Sequence, residues 1–237
     1  MPLTKTNGNM YDWVTHTWSC LNGACPHDCS YCSTKSKAII YPNTKKAYSG
    51  EPRCNPNDAN TKLGGGKKIF VAHTSDLFAE GVPSSCTLQI LDQCKRYPLN
   101  LFIFQSKNPG RAVDGIFPPH YWFGTTIETD DDELLRQHSR APDSYHRANG
   151  LLQMRYWKNQ PQRTFVTIEP IMKFHLHHML ATIELANPNF VNIGADSKNH
   201  HLPEPTWDEV MELIDELKSR GIEIREKSNL ERLKIVS

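Results

Sequence analysis

Short apolar runs alternate with amphipathic stretches over most of the chain. Lys68–His73, Leu99–Phe104, Tyr121–Ile127, Thr164–Ile168 and Phe190–Ile193 are β-branched and aromatic, the pattern of strands buried on both faces. Ile222–Ile224 is a shorter candidate, and a first strand is expected near Trp13 to Trp18. Helices are expected between them. Thr206 and Glu209 have capping-box spacing; Val210, Leu213, Ile214 and Leu217 form an i, i+3, i+4, i+7 stripe, and Gly221 stops it. Asp130 with Glu133 opens another helix, and Ser84 or Ser85 caps one running through Leu88, Leu91 and Cys94. This alternation predicts right-handed βαβ units and a parallel α/β sheet, open or closed into a barrel.

One stretch breaks the rhythm. Ser33 to Lys67 is rich in Asn, Pro, Gly, Lys and Ser, has no sustained period, and reads as a long functional loop. With no internal repeat and no linker, residues 1–237 are expected to form a single domain carrying this insert at about 33–67.

Hydrophobic residues at 38% and charged ones at 22% exclude wholesale disorder. No run approaches the roughly eighteen apolar residues of a spanning helix, and Met1 to Trp13 has no signal-peptide core. The expectation is a soluble cytoplasmic protein with no membrane partner. The net charge of +1 conceals segregation. Ser33–Lys67 holds seven basic residues against two acidic ones, and Ser144–Arg163 holds four with none, which leaves −8 for the remainder. Such segregation points to a polyanionic partner, although solvated faces also produce it.

Seven cysteines, an odd number, do not suggest a disulfide framework in a reducing compartment. Three of them form Cys25-Pro-His-Asp-Cys29-Ser-Tyr-Cys32. A CxxxCxxC run puts three thiolates on one tight loop, able to hold three corners of an iron–sulfur cubane and leave the fourth iron without a protein ligand. Zinc is the rival, but a structural zinc site wants four ligands in two pairs. Here the second pair is missing. Cys20 and His27 could close the site only with unusual spacing, and an auxiliary cluster of Cys20, Cys54, Cys86 and Cys94 competes with their being buried single thiols.

The loop Cys25, Cys29, Cys32, with Tyr31 before the last cysteine, resembles the cluster loop of the radical S-adenosylmethionine (AdoMet) enzymes. Thr17-Trp18, Ser75-Asp76-Leu77-Phe78, Ser106-Lys107-Asn108-Pro109 and Ile168-Glu169-Pro170 are similar to segments of a phage- and prophage-borne group of radical-SAM-like proteins. The resemblance implies a partial (β/α)6 TIM-like barrel with parallel strands, the cluster loop following the first of them. It also implies a 4Fe-4S cluster whose open iron is chelated by AdoMet. One-electron reduction then yields a 5′-deoxyadenosyl radical that abstracts hydrogen from substrate. An external reductant of flavodoxin or ferredoxin type would supply the electron.

Ligands of parallel sheets bind beyond the carboxyl ends of the strands. Gly64-Gly65-Gly66 lies at the wrong end and reads as a turn. At the right ends, Ser75 and Asp76 are candidates for the methionine ammonium, Lys107 for the AdoMet carboxylate or a substrate phosphate, and Thr126 or Glu128 for the ribose. Tyr31 is a further cofactor candidate; Glu169 and Lys107 are the catalytic ones. Helix caps are the competing reading, above all for Glu128 and Asp130. Among His175, His177 and His178, only the i, i+3 pair can converge on a metal. Lysines with Tyr41 and Tyr48, and the run Arg155-Tyr156-Trp157-Lys158, suggest a nucleic acid or nucleotide substrate. A small metabolite is the alternative substrate, and a non-catalytic iron–sulfur or zinc module the alternative class.

Overall fold

Seven parallel strands lie side by side in chain order: β2 (His16–Trp18), β5 (Lys68–Val71), β6 (Leu101–Gln105), β7 (Tyr121–Thr126), β8 (Arg163–Ile168), β9 (Phe190–Ile193) and β10 (Glu223–Glu226). An antiparallel strand, β1 (Leu3–Lys5), completes the sheet against β2. This is a computed structural model, and it describes residues 3–6, 10–156 and 162–235. Sequential parallel strands joined by crossovers make the expected partial barrel, with the cysteine loop after β2, the first parallel strand.

The helices are α1 (Ser33–Ile40), α2 (Pro42–Ala47), α3 (Pro56–Ala59), α4 (Ser84–Lys95), α5 (Asp132–His138), α6 (Ser144–Arg155), α7 (Leu176–Ala186) and α8 (Trp207–Ser219). The capping box of Thr206 and Glu209 forms as read, and Gly221 adopts φ +76° after α8. Two caps differ. Asp131, not Asp130, caps α5, accepting from the amides of Glu133 and Leu134. Pro83 precedes α4, with no side-chain cap. The crossover from β6 to β7 has no α-helix, only a 3-10 turn at Pro109–Ala112.

The insert is not a loop. It folds into α1, α2, a two-residue strand β4 (Arg53–Cys54) and α3, with β4 pairing β3 (Leu21–Asn22). Elements of two to eight residues are too short to print a period on the sequence, and α2 buries no residue. The second basic segment also reads differently. Arg147 is fully buried, and Trp157 and Lys158 lie outside the described residues.

Alternate strand positions face two cores. Phe102, Phe104, Val166 and Val191 meet the helices. Ile103, Phe165 and Phe190 form the opposite face with Tyr11, Val14 and the partly buried Trp13 and Trp122. Phe165 stacks on Phe190 at 5.3 Å, and Trp13 stands edge-on to both. Gly124 is required here, since a Cβ would come within 2.3 Å of the Phe165 ring. The aromatic cluster gathers near the strand starts, so the polar residues at the strand ends surround open space. No helix among the described residues is long and apolar enough to cross a membrane.

Candidate active site at the strand ends

Two consecutive turns carry the three cysteines. Gly23, at φ +100°, leads into the loop where a Cβ would strike the Glu51 carbonyl at 2.3 Å. Asp28 N–H donates to Cys25 O and Cys32 N–H to Cys29 O, closing the turns at 3.1 and 3.2 Å. Cys32 is then the N-cap of α1, its Sγ accepting from Lys35 N–H at 3.5 Å. The loop is tied down on its far side by Ser30 N–H to His138 O and Arg140 N–H to His27 O.

Burial pushes the Cys25 thiol up to about 12, with Asp76 adding to the shift. A protein-only environment therefore keeps it protonated, and an electropositive ligand is what would make it a thiolate. Three cysteine sulfurs on one tight loop are the donor set of an iron–sulfur cubane with one corner left for another ligand, whereas a structural zinc site takes four ligands.

A cavity of about 650 Å³ opens beside the loop. Cys25, Cys29, Cys32, Tyr31, Ser75, Asp76, Lys107, Thr126 and Glu169 all line it. Glu128 does not: it lies behind the wall with no exposed surface and both oxygens engaged. Its partners are the Lys107 ammonium at 2.5 Å, the Tyr31 hydroxyl at 2.6 Å and the Arg147 guanidinium at 2.7 Å. Burial opposes ionisation of Glu128, but Lys107 and Arg147 outweigh it and hold the carboxyl down to about 2. Burial likewise works against the Lys107 charge, and the Cys29 sulfur and Glu128 raise its pKa well above the ordinary value. Tyr31 stays protonated, raised first by burial and then by Glu128.

Ala72 ends β5 at φ +56°, a left-handed conformation that turns His73–Asp76 across the cavity. Asp76 is fully subscribed. Its Oδ2 accepts from His27 Nε2 (2.8 Å), Ser106 Oγ (3.0 Å) and Lys107 N–H (2.8 Å), and its Oδ1 from Phe78 N–H (2.9 Å). Desolvation is the largest influence on Asp76, yet His27 and these amides keep it below the usual carboxylate range. Ser75 is the opposite case: its Oγ is buried and has no hydrogen-bond partner. An orphaned hydroxyl on the wall of a cavity is a free contact for a bound molecule. Burial, with Lys37, lowers His73 to about 4 and keeps it neutral.

Glu169 stands across the cavity, its oxygens taken by Lys227 Nζ at 2.7 Å and Asn229 Nδ2 at 2.9 Å. Tyr11 donates to Gln105 Oε1 at 2.8 Å beneath it, and Gln105 donates to Thr126 Oγ1 at 2.9 Å. His200, bonded through Nδ1 to Asp196 at 2.6 Å, completes that side. Sequence reading gave Arg147, Lys227 and His200 no place in the site and weighed His27, inside the cysteine run, only as a closing metal ligand.

Cys20 is fully buried and does not line the cavity, and its thiol is raised by burial. Among the scattered cysteines, Cys54 N–H donates to Cys86 Sγ at 2.9 Å.

No protein-family model and no curated protein matches the chain. Solved structures do. A spore photoproduct lyase variant with bound AdoMet and dinucleoside spore photoproduct superposes with a TM-score of 0.56 at 11% identity, over 88% of this chain and 62% of that one. Spore photoproduct lyase complexed with dinucleoside spore photoproduct gives 0.55 at 12% identity, over 90% and 63%. Streptococcus suis SuiB bound to S-adenosylmethionine gives 0.52 at 8% identity, over 92% and 50%. At these identities the likeness is one of fold, and the chain spans about three fifths of the lyase's length.

Proposed function

We propose that this chain is a radical AdoMet enzyme in which Cys25, Cys29 and Cys32 hold a 4Fe-4S cluster and the adjoining cavity takes AdoMet. The observation that carries the reading is three cysteines on one loop facing a cavity whose wall holds the unpartnered Ser75 hydroxyl. Support comes from the fold shared with two proteins solved with AdoMet. When bound, the cluster and AdoMet supply one-electron cleavage of the sulfonium and a hydrogen-abstracting 5′-deoxyadenosyl radical.

The protein's part is positioning and electrostatics. Ser75 Oγ, with the Asp76 carboxylate beside it in the cavity wall, meets the methionine ammonium; Lys107 meets its carboxylate, and Thr126 a ribose hydroxyl. Glu128 acts through Lys107 and Tyr31, holding both against the cysteine loop. Glu169, positioned by Lys227 and Asn229, faces the substrate. The aromatic plug closes the other end of the barrel to water. The electron comes from an external flavodoxin- or ferredoxin-type donor.

The substrate is a nucleic acid or nucleotide, a phage one in keeping with the sequence resemblance. Helices α1 and α2 leave the cluster loop with four lysines and no acid, and Lys37 lines the cavity. Phosphates are neutralised by such a surface, and bases stack on aromatics like the exposed Tyr41. The lyase of like fold was solved with a dinucleoside photoproduct. A small metabolite is the second reading, favoured by the enclosed strand-end cavity.

Anaerobic reconstitution tests the core of this. About four irons and four sulfides per chain, with an electron paramagnetic resonance signal that changes on adding AdoMet, are expected. A colourless protein holding zinc, or a cluster blind to AdoMet, would overturn it.

A further inference from the structure

The loops leaving β7 and β8 run side by side outside the cavity. Met172 N–H donates to Glu128 O at 2.9 Å, Thr129 Oγ1 to Lys173 O at 2.6 Å, and His175 N–H to Asp130 Oδ1 at 2.7 Å. The third link fixes the Asp130 carboxylate, whose side chain is only 4% exposed, with Oδ2 turned towards two imidazoles. His175 Nδ1 stands 3.1 Å from Oδ2 and His178 Nδ1 3.7 Å. Among the described residues, these are the His, Cys, Asp or Glu ligand atoms that converge as a trio within 4.8 Å.

We propose that Asp130, His175 and His178 bind a divalent transition cation of the zinc class, with a fourth position open to water. Three features of the geometry argue for this over a helix cap. The His178 separation is beyond hydrogen-bond range, so a cap leaves that imidazole without a bond to Asp130. Ligands bound at 2.0–2.1 Å around a tetrahedral ion stand about 3.3 Å apart, between the two separations observed. The backbone amide on Oδ1 is the outer hydrogen bond that metal-binding carboxylates use to hold their orientation. His175 is the N-cap of α7 and His178 lies three residues on, so both rings share one face.

Imidazole with carboxylate suits zinc, cobalt or nickel and disfavours calcium and magnesium, which take oxygen donors. The ion clips the loop after β7 to the start of α7, two residues beyond Glu128. Its site is separate from the cysteine loop and does not rest on the radical reading.

The test is Zn²⁺ titration of the 237-residue chain by calorimetry, with Cys25, Cys29 and Cys32 replaced by serine so that the cysteine loop does not report. One equivalent is expected, bound at least tenfold more weakly by His178→Ala and by Asp130→Asn. The asparagine keeps an oxygen for the His175 amide, so it separates the ion from the cap. Should the triple-serine form not fold, wild type and His178→Ala titrated in parallel read the same site as a difference of one equivalent. Zinc affinity unchanged by both substitutions, or no zinc bound at all, overturns the proposal and leaves an ion-paired cap.

Discussion

The Lys107 ammonium lies 3.3 Å from the Cys29 sulfur and 2.5 Å from the Glu128 carboxylate. With Arg147 on the other Glu128 oxygen, two cations and one anion are buried behind the cysteine loop. The net positive charge faces the sulfur, where it favours the reduced over the oxidised state of any cluster bound there.

Lys107→Met should therefore lower the reduction potential of the reconstituted cluster. One charge-assisted hydrogen bond of about 1.5–3 kcal/mol corresponds to a fall of about 65–130 mV for a one-electron couple. Glu128 keeps Arg147, so the fold should survive. A potentiometric titration that finds no change would show that Lys107 does not act on the cluster.

Acid should destabilise the chain through Glu128. Its folded pKa is depressed to about 2, so its contribution is complete above the unfolded value near 4.5 and is lost as pH falls towards 2. The shift is worth on the order of 3 kcal/mol. In Glu128→Gln this slope should vanish, and stability at neutral pH should drop by about 3–5 kcal/mol because Lys107 and Arg147 lose their counter-charge. Urea unfolding between pH 2.5 and 7 reads both effects.

Ser75→Ala removes a hydroxyl that bonds to nothing in the protein. Its melting temperature should stay within about 2 °C of wild type, while AdoMet affinity falls roughly two- to tenfold. Asp76→Ala should lose both, since four bonds to Asp76 hold His27, Ser106, Lys107 and Phe78 in place. Equilibrium binding beside a thermal melt separates the two; unaltered affinity in Ser75→Ala would remove it from the AdoMet site.

If the insert binds nucleic acid, affinity should fall steeply with salt, and reversing Lys37, Lys45 and Lys46 to Glu should abolish it. The triple change leaves the core alone, because α2 buries nothing and Lys37 is exposed. Absence of binding at low salt would leave the metabolite reading.

Much of the fold was legible because β5 to β9 are continuous apolar runs, which a two-face-buried strand must be. β1 was not, since Leu3–Lys5 offers a single apolar residue. The candidate site was legible in part for a topological reason: Ser75, Asp76, Lys107 and Glu169 each follow a parallel strand and Thr126 ends one, and the topology delivers them to one rim. Arg147 was hidden because a basic residue on a polar helix reads as solvated surface, and its burial depends on Glu128 nineteen positions away. Tyr11 joins Gln105 and Thr167 only once the sheet has assembled, and His200 meets the cavity on a loop with no period.

Cys20 bears on the central claim. It is buried in the helix-facing core, away from the cavity, so Cys20→Ala should keep its iron while Cys29→Ala loses it. The direct measurement is anaerobic incubation of the reconstituted Cys20→Ala and Cys29→Ala proteins, beside wild type, with dithionite and AdoMet, followed by chromatography for 5′-deoxyadenosine. Wild type and Cys20→Ala should form it and Cys29→Ala should not. No 5′-deoxyadenosine from an iron-loaded wild type, or equal amounts from Cys29→Ala, would contradict the account.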